Sequence, residues 1–214
     1  TMNILKSILE NKKVEVSDRK RNTPPEALRS GPYYHRQCIS LREALVGHRL
    51  SVIAEIKKAS PSRGVIRENF DPETIAREYV DAGAHALSVL TDERFFQGSL
   101  ATIQRIRPAT PIPILRKDFI IDPYQVHESK AAGSDALLLI ASALEAHLLH
   151  DLHDCAVSIG LEALVEVHSA EEIGSLDLSR IRCIGINNRD LTTFATDIRT
   201  SRLLRKLIPD SITV

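Results

Sequence analysis

Short apolar runs alternate with longer amphipathic stretches along most of the chain. The apolar runs predict six β-strands and the start of a seventh, at residues 52–57, 86–90, 112–115, 136–140, 163–167, 183–187 and 211–214. Stretches with helical spacing lie between them, at residues 72–82, 99–107, 124–132, 144–159, 170–176 and 198–207. The residues before the first strand predict helices only. Because a strand recurs roughly every 20 to 35 residues with a helix between, we predict a parallel sheet with helices packed outside it.

Two architectures fit that alternation, a closed βα barrel and an open doubly wound sheet. The first strand is not followed by the glycine-rich turn G-x-G-x-x-G that carries a dinucleotide in open sheets. Polar residues instead follow several different strands, which is typical of the mouth of a barrel. We therefore predict the α/β class and a (βα)8 TIM barrel truncated at the start of strand 7, with about six and a half βα units. Residues 1–50 would form a helical extension and residues 51–214 the incomplete barrel, within a single domain.

Charged side chains stand at the carboxyl ends of the predicted strands. Glu55 and Lys57 end the first strand and share one of its faces, because side chains alternate along a strand. Lys117 follows the third strand and Glu166 lies near the end of the fifth, and each shares a face with the apolar residue two positions earlier. We expect these groups to meet at one mouth of the barrel. The alternative for Glu55 and Lys57 is a buried ion pair that only holds the fold together.

This set of groups suits proton transfer around a carbonyl, because an ammonium can protonate the oxygen while a carboxylate moves a proton elsewhere. A Schiff base on Lys117 or Lys57 is a competing use of the same lysines. No pair of histidines has ligand spacing and no Cys-His cluster occurs, so we expect no metal and no other cofactor. Phe96, Phe119 and Leu138 would either line the same rim or be plain core. The histidines are expected to have no special role.

Composition limits the partners. Lysine plus arginine balance aspartate plus glutamate at 28 each, so no net field attracts nucleic acid or an acidic membrane. The basic run at residues 12–21 is interpreted as a solvated helix face. The 3 cysteines are far apart, which argues for a reducing compartment. No apolar run reaches the roughly 18 residues of a spanning helix, so we expect a cytoplasmic protein that binds no membrane.

Several longer motifs resemble the indole-3-glycerol-phosphate synthase family. The segment IAEIKKASPSRG at residues 53–64 is similar to the signature of that family, which is long and specific. Later blocks follow in the family's order: LT at 90–91, F-x-GSL at 96–100, PILRKDFI at 113–120, LVEV at 164–167 and GINNRDL at 185–191. The resemblance covers essentially the whole chain, including the helical extension.

The resemblance implies a TIM-barrel lyase of tryptophan biosynthesis. Such an enzyme closes a ring on 1-(2-carboxyphenylamino)-1-deoxyribulose 5-phosphate, with release of carbon dioxide and water. It implies that Lys117 is the general acid at the substrate carbonyl and that Glu166 handles the proton of the dehydration. It also implies that Glu55 is essential, with its role as acid or base left open. The implied substrate contacts are Lys57, Ser60, Asn187 and Arg189 among polar residues and Phe96, Phe119, Leu138 and Leu191 among apolar ones.

The chain departs from the family at its end, where residues 211–214 open the seventh strand. The resemblance implies a seventh and an eighth strand and a phosphate site beyond that point. We therefore expect a protein that ends at Val214 to leave sheet edges exposed and to have little or no synthase activity. Either the sequence is a fragment of a longer protein, which would be a monomer, or a partner or second copy covers the gap.

Two other functions stay open at this point. One is a related phosphosugar barrel such as phosphoribosylanthranilate isomerase, which would bind a similar small phosphorylated substrate. The other is a non-catalytic barrel fragment whose site residues are inert.

Overall fold

The computed structural model describes residues 4–189 and 195–214. Its strands are β1 (Ile53–Ile56), β2 (Ala59–Ser60), β3 (Gly64–Val65), β4 (Ala86–Leu90), β5 (Ile114–Lys117), β6 (Ala136–Ile140), β7 (Glu162–Val167) and β8 (Ile184–Ile186). Its helices are α1 (Ile4–Asn22), α2 (Pro25–Arg29), α3 (Leu41–Leu45), α4 (Pro72–Asp81), α5 (Glu93–Phe96), α6 (Leu100–Ile106), α7 (Pro123–Ala132), α8 (Ala146–Ser158), α9 (Ala170–Gly174) and α10 (Arg199–Arg205).

Six strands form one parallel sheet in the order β1-β4-β5-β6-β7-β8. Cys183 forms a parallel bridge with Thr213, where the sequence predicts the start of a seventh strand. Within the described residues, β1 pairs along its length with β4 alone, so the curled sheet does not close on itself. This confirms the α/β class and the truncated βα barrel.

The outer face of the sheet packs against the connecting helices. One cluster joins β1 and β4 to α4 and α6, through buried residues such as Ile56, Leu87, Ile75 and Ile103. A second, larger cluster joins β6 and β7 to α8 and α10. Both clusters are apolar because these strand residues are enclosed by sheet and helix, and burial of such side chains drives the fold.

The inner face carries a smaller apolar cluster near the amino ends of the strands. Its buried members are Leu41, Ala86, Leu115 and Ala136, and Ile53 and Leu164 pack against them. Leu41 belongs to α3, so the region before β1 closes this end of the barrel. Side chains two positions later along the strands lie on the same inner face, nearer the opposite end.

The amino end of β7 holds α3 in place. Glu162 accepts hydrogen bonds from Ser40 Oγ at 2.5 Å and from the backbone N–H of Arg42 at 2.8 Å. Ser40 is also the N-cap of α3 and accepts from the backbone N–H of Glu43. A polar residue at this end of a strand thus has a structural role, as expected for the end of a barrel opposite the mouth.

The prediction for the basic run at residues 12–21 is wrong at its first position. Ile8, Lys12 and Val16 are buried at intervals of four residues, which is one face of α1. Lys12 has 0% exposure and is surrounded by carboxylates. Sequence spacing alone put this lysine among solvated charges, because two of its three partners, Asp92 and Asp118, lie far away in the chain.

The loop after β1 folds back on itself. Ala59–Ser60 and Gly64–Val65 pair as a short antiparallel ladder. The turn between them contains Pro61, which suits a tight reversal of the chain.

The longest described helix is α1, with 19 residues, and it carries charged residues along its length. None of the helices in residues 4–189 and 195–214 is long and apolar enough to cross a membrane.

Candidate active site

A cavity of about 770 Å³ lies at the carboxyl ends of the strands. Ten of the eleven predicted site residues line it: Glu55, Lys57, Ser60, Phe96, Lys117, Phe119, Leu138, Glu166, Asn187 and Arg189. The eleventh, Leu191, lies outside the described residues. A smaller cavity of about 590 Å³ beside α1 contains none of them. The predicted residues therefore share one concave site.

Glu55 lies between the two lysines of the site. Lys117 Nζ donates to Glu55 Oε2 at 2.8 Å, and Lys57 Nζ donates to Oε1. Burial alone would raise the pKa of Glu55, but the charges and hydrogen bonds of Lys117 and Lys57 outweigh it and hold that pKa below its usual range. Glu55 is therefore a carboxylate at neutral pH. Glu55, Lys57 and Lys117 do not form a sealed ion cluster in the core, because all three side chains are between 28% and 37% exposed.

Glu166 reaches the same cavity from β7. Its Oε1 accepts a hydrogen bond from Asn187 Nδ2 at 3.2 Å and lies 3.4 Å from His168 Nε2. Burial raises the pKa of Glu166, and the contact with His168, the charge of Lys117 and the hydrogen bond from Asn187 lower it more, so that the net pKa is below the usual value. The site therefore contains a second ionised carboxylate.

His168 is a site neighbour that the sequence reasoning missed. It follows β7 and lies on the same face as Glu166, two residues earlier. The alternation that grouped Leu164 with Glu166 also includes position 168, so the pattern contained a usable signal. The sequence predicts no special role for the histidines because they lie in helical or loop contexts.

One wall of the cavity is apolar. The rings of Phe96 and Phe119 lie with their centroids 6.3 Å apart, and Leu138 lines the cavity with 3% exposure. Leu90 and Ile140 extend this wall. The two phenylalanines are only partly buried, so they line the cavity rather than fill the core.

Cationic and polar groups also line the cavity. Ser60 belongs to the β2–β3 ladder, and Arg63 and Arg67 from the same loop also line the cavity. The backbone N–H of Arg189 donates to Asn187 Oδ1 at 2.9 Å, which links the loop after β8 to the amide that contacts Glu166. Arg63 and Arg67 were not predicted, because their position depends on how the loop folds back over the mouth.

Helix α1 adds a further wall that the sequence reasoning missed. Ile4, Leu5 and Ile8 line the cavity. One turn later, Lys12 Nζ lies 2.9 Å from Asp92 and 2.8 Å from Asp118. Asp118 directly follows Lys117, so this buried ion cluster attaches the helix to the segment that carries the predicted acid.

The cluster around Asp118 is closed on its inner side by Arg116. Arg116 is fully buried and lies 3.0 Å from Asp118 and 2.9 Å from Glu128. Burial would raise the pKa of Asp118, but Arg116 and Lys12 hold it well below its usual range. Among residues 4–189 and 195–214, no group of three or more histidine, cysteine, aspartate or glutamate side chains is arranged to hold a metal ion.

The structure resembles known βα barrels. A mutant tryptophan synthase α-subunit from Pyrococcus furiosus matches with a TM-score of 0.52 and 13% identity, over 75% of this chain and 75% of that one. The N-(5'-phosphoribosyl)anthranilate isomerase from Pyrococcus furiosus matches with a TM-score of 0.50 and 15% identity, over 74% of each chain. At such low identity these likenesses show the fold alone.

Proteins related by sequence have a much higher identity to this chain. The family pattern described as "Indole-3-glycerol phosphate synthase" matches residues 5–214. A protein of that name from Salinibacter ruber is 48% identical, over 94% of this chain and 75% of the relative. Another from Chlorobium phaeovibrioides is 47% identical, over 99% of this chain and 83% of the relative.

The fold and the site define a βα-barrel enzyme with lysines and ionised carboxylates at its mouth. The chain belongs to the indole-3-glycerol phosphate synthase family, the carboxy-lyases of tryptophan biosynthesis. The resemblance found in the sequence motifs is confirmed.

Proposed function

We propose that this protein closes the indole ring of indole-3-glycerol phosphate from 1-(2-carboxyphenylamino)-1-deoxyribulose 5-phosphate, releasing one carbon dioxide and one water. The observation that carries the proposal is the meeting of Lys117, Glu55 and Glu166 in one cavity of a chain of this family. Their three side chains come from β5, β1 and β7, and their arrangement supplies both a proton donor and two proton acceptors.

Lys117 acts as the general acid. An ammonium has three N–H donors, and one of them is used by Glu55 at 2.8 Å. The other two can reach a substrate carbonyl in the cavity. As the ring carbon that bears the carboxyl group attacks the carbonyl carbon, a proton moves from Nζ to the carbonyl oxygen. Loss of carbon dioxide from that ring carbon then restores the aromatic ring.

Glu55 orients Lys117 rather than acting as an acid. Two ammonium groups hold it as a carboxylate, so it has no proton to give in the resting enzyme. Its negative charge keeps the ammonium of Lys117 in place, at 2.8 Å from Oε2.

Glu166 takes the proton that leaves carbon during dehydration. It enters the reaction ionised and accepts a proton from the carbon beside the ring nitrogen. The hydroxyl group formed from the carbonyl departs as water with a second proton from Lys117, which takes a proton from solvent between the two steps. The new double bond of the indole ring forms between the carbon beside the ring nitrogen and the carbon that loses the hydroxyl group.

The remaining cavity residues bind the substrate. Phe96, Phe119 and Leu138 provide an apolar wall for the anthranilate ring, where edge and face contacts between aromatic rings are favourable. Lys57 and Arg189, which line the same cavity, attract the negatively charged substrate groups, and Ser60 and Asn187 add hydrogen bonds.

The test uses the native protein, purified in the form that its source cells make. The protein is mixed with 1-(2-carboxyphenylamino)-1-deoxyribulose 5-phosphate and, separately, with phosphoribosylanthranilate. Indole fluorescence and carbon dioxide release should appear with the first substrate only. Lys117→Ala should abolish turnover while the circular dichroism spectrum stays unchanged, and Lys13→Ala on the exposed face of α1 serves as the matched control. Isomerisation of phosphoribosylanthranilate, or full turnover by Lys117→Ala, would contradict the proposal.

We further propose that the enzyme works in the cytoplasm as a monomer on this small phosphorylated substrate, without nucleic acid. A balanced charge, with 28 basic and 28 acidic residues, and three cysteines that are all free support this. Cell fractionation followed by sedimentation of the native protein tests both points.

A further inference from the structure

His168 stands between two carboxylates at the end of β7. Its Nε2 lies 3.4 Å from Glu166 Oε1, and its Nδ1 lies 3.4 Å from Glu172 Oε2. The side chain is only 12% exposed. The imidazole therefore connects the predicted base of the reaction to a carboxylate that does not line the cavity.

Glu172 is itself held in place by the start of α9. Ser169 is the N-cap of that helix, and its Oγ accepts from the backbone N–H of Glu172 at 3.2 Å. Glu172 Oε2 in turn accepts from the backbone N–H of His168 at 2.7 Å. This reciprocal arrangement is a capping box extended by one residue, and it fixes one side of the imidazole.

The electrostatics favour the doubly protonated ring. Burial lowers the pKa of His168, but the contacts with Glu166 and Glu172 outweigh it and raise that pKa to about 9. At neutral pH both ring nitrogens then carry a proton, and each lies 3.4 Å from one carboxylate, as an ion pair rather than a hydrogen bond. The other polar groups that face Glu166 are Asn187 and, across the cavity, Lys117.

Both contacts to Glu166 fall on the same oxygen. Oε1 accepts from Asn187 and faces His168, whereas Oε2 receives no hydrogen bond from any residue in the described part of the chain. The carboxylate is thus held by one oxygen, and the other remains for a proton from the substrate.

From this geometry we propose that His168 is a positioning residue, a cation that holds Glu166 ionised and directs its Oε2 into the cavity. The inference deepens the proposed function and rests on it. His168 does not touch the substrate, and its effect on the reaction passes through Glu166.

The kinetic test compares the native protein with His168→Gln, and with Glu172→Gln as a variant that weakens the outer contact only. Without the cation, the pKa of Glu166 should rise, because His168 is the largest of the contacts that lower it. The acid limb of the kcat–pH profile should move to higher pH by the same amount in His168→Gln, with KM little changed and kcat recovering as the pH is raised. Glu172→Gln should give a smaller shift in the same direction. A merely structural role would lower kcat at every pH without moving the limb, and that result would overturn the proposal.

A second measurement does not depend on turnover. Nitrogen-15 labelled histidine allows the titration of His168 to be followed by NMR, with assignment from His168→Gln. His168 should stay protonated past neutral pH and titrate near pH 9, and Glu166→Gln should lower that value. An imidazole that titrates below pH 7 would refute the pairing. So would a titration midpoint that Glu166→Gln leaves unchanged. If the pairing holds but the native protein makes no indole product, the proposed function fails and the contact itself stands.

Discussion

The buried charge of Lys12 offers the sharpest test of how the extension is attached to the barrel. Lys12→Met keeps the aliphatic stem and removes the ammonium that lies between Asp92, Asp118 and Glu15 at 2.8–3.0 Å. Asp118 retains Arg116, but Asp92 has no other ion pair among the described residues and is 0% exposed. The variant therefore leaves an uncompensated buried carboxylate.

The expected cost follows from that isolation. Removal of one partner from a buried ion cluster costs about 3–5 kcal/mol, because the remaining charge stays desolvated. Against a total stability of about 5–15 kcal/mol for a native protein, this is a large fraction. With a urea m-value of about 2 kcal/mol per molar, the midpoint should fall by roughly 1.5–2.5 M.

The assay is urea unfolding followed by circular dichroism. Lys13→Met, one residue along on the exposed face of α1, is the matched control and should change stability by less than about 0.5 kcal/mol. The double variant Lys12→Met with Asp92→Asn should recover part of the loss, since it removes the unpaired charge. Equal midpoints for Lys12→Met and Lys13→Met would refute the reasoning.

Three further predictions concern other parts of the fold. Glu162→Ala should lower stability by about 1–3 kcal/mol in urea unfolding, because two hydrogen bonds to the start of α3 are lost, and should leave kcat unchanged. Gly98→Ala should destabilise by about 1–3 kcal/mol, since a Cβ would lie 2.7 Å from the carbonyl carbon of Leu90, whereas Gly174→Ala, with open space around it, should not. The contribution of His168 to stability should be fully present below pH 6.5 and lost as the pH rises through about 9, because its folded pKa is raised. Thermal melts from pH 6 to 10 measure this, and a flat profile would contradict it.

Much of the site could be predicted because strand geometry is local. Lys117 shares a face with Leu115, and Glu166 with Leu164, whatever the strands pack against. Once parallel strands are inferred, their carboxyl ends must meet at one edge. The positions of ten predicted residues in one cavity follow from these two facts.

The features that the sequence did not predict, namely the burial of Lys12 and the cavity wall formed by α1, have a common physical cause. Lys12 is buried because Asp92 and Asp118 lie opposite it, and those residues are about eighty and a hundred positions away along the chain. The cavity wall formed by α1 depends on the same packing. Composition and helical spacing describe one segment at a time, so they cannot tell a charge that faces water from one that faces partners brought from elsewhere.

The amino-acid sequence by itself determined the alternation of strands and helices, the face on which each strand-end charge lies and the family to which the chain belongs. Only the tertiary structure decided which charges are partners: Lys117 with Glu55, Glu166 with His168, and Lys12 with Asp92 and Asp118. The reason is that backbone geometry acts over a few residues, whereas electrostatic pairing depends on distance in space and on burial.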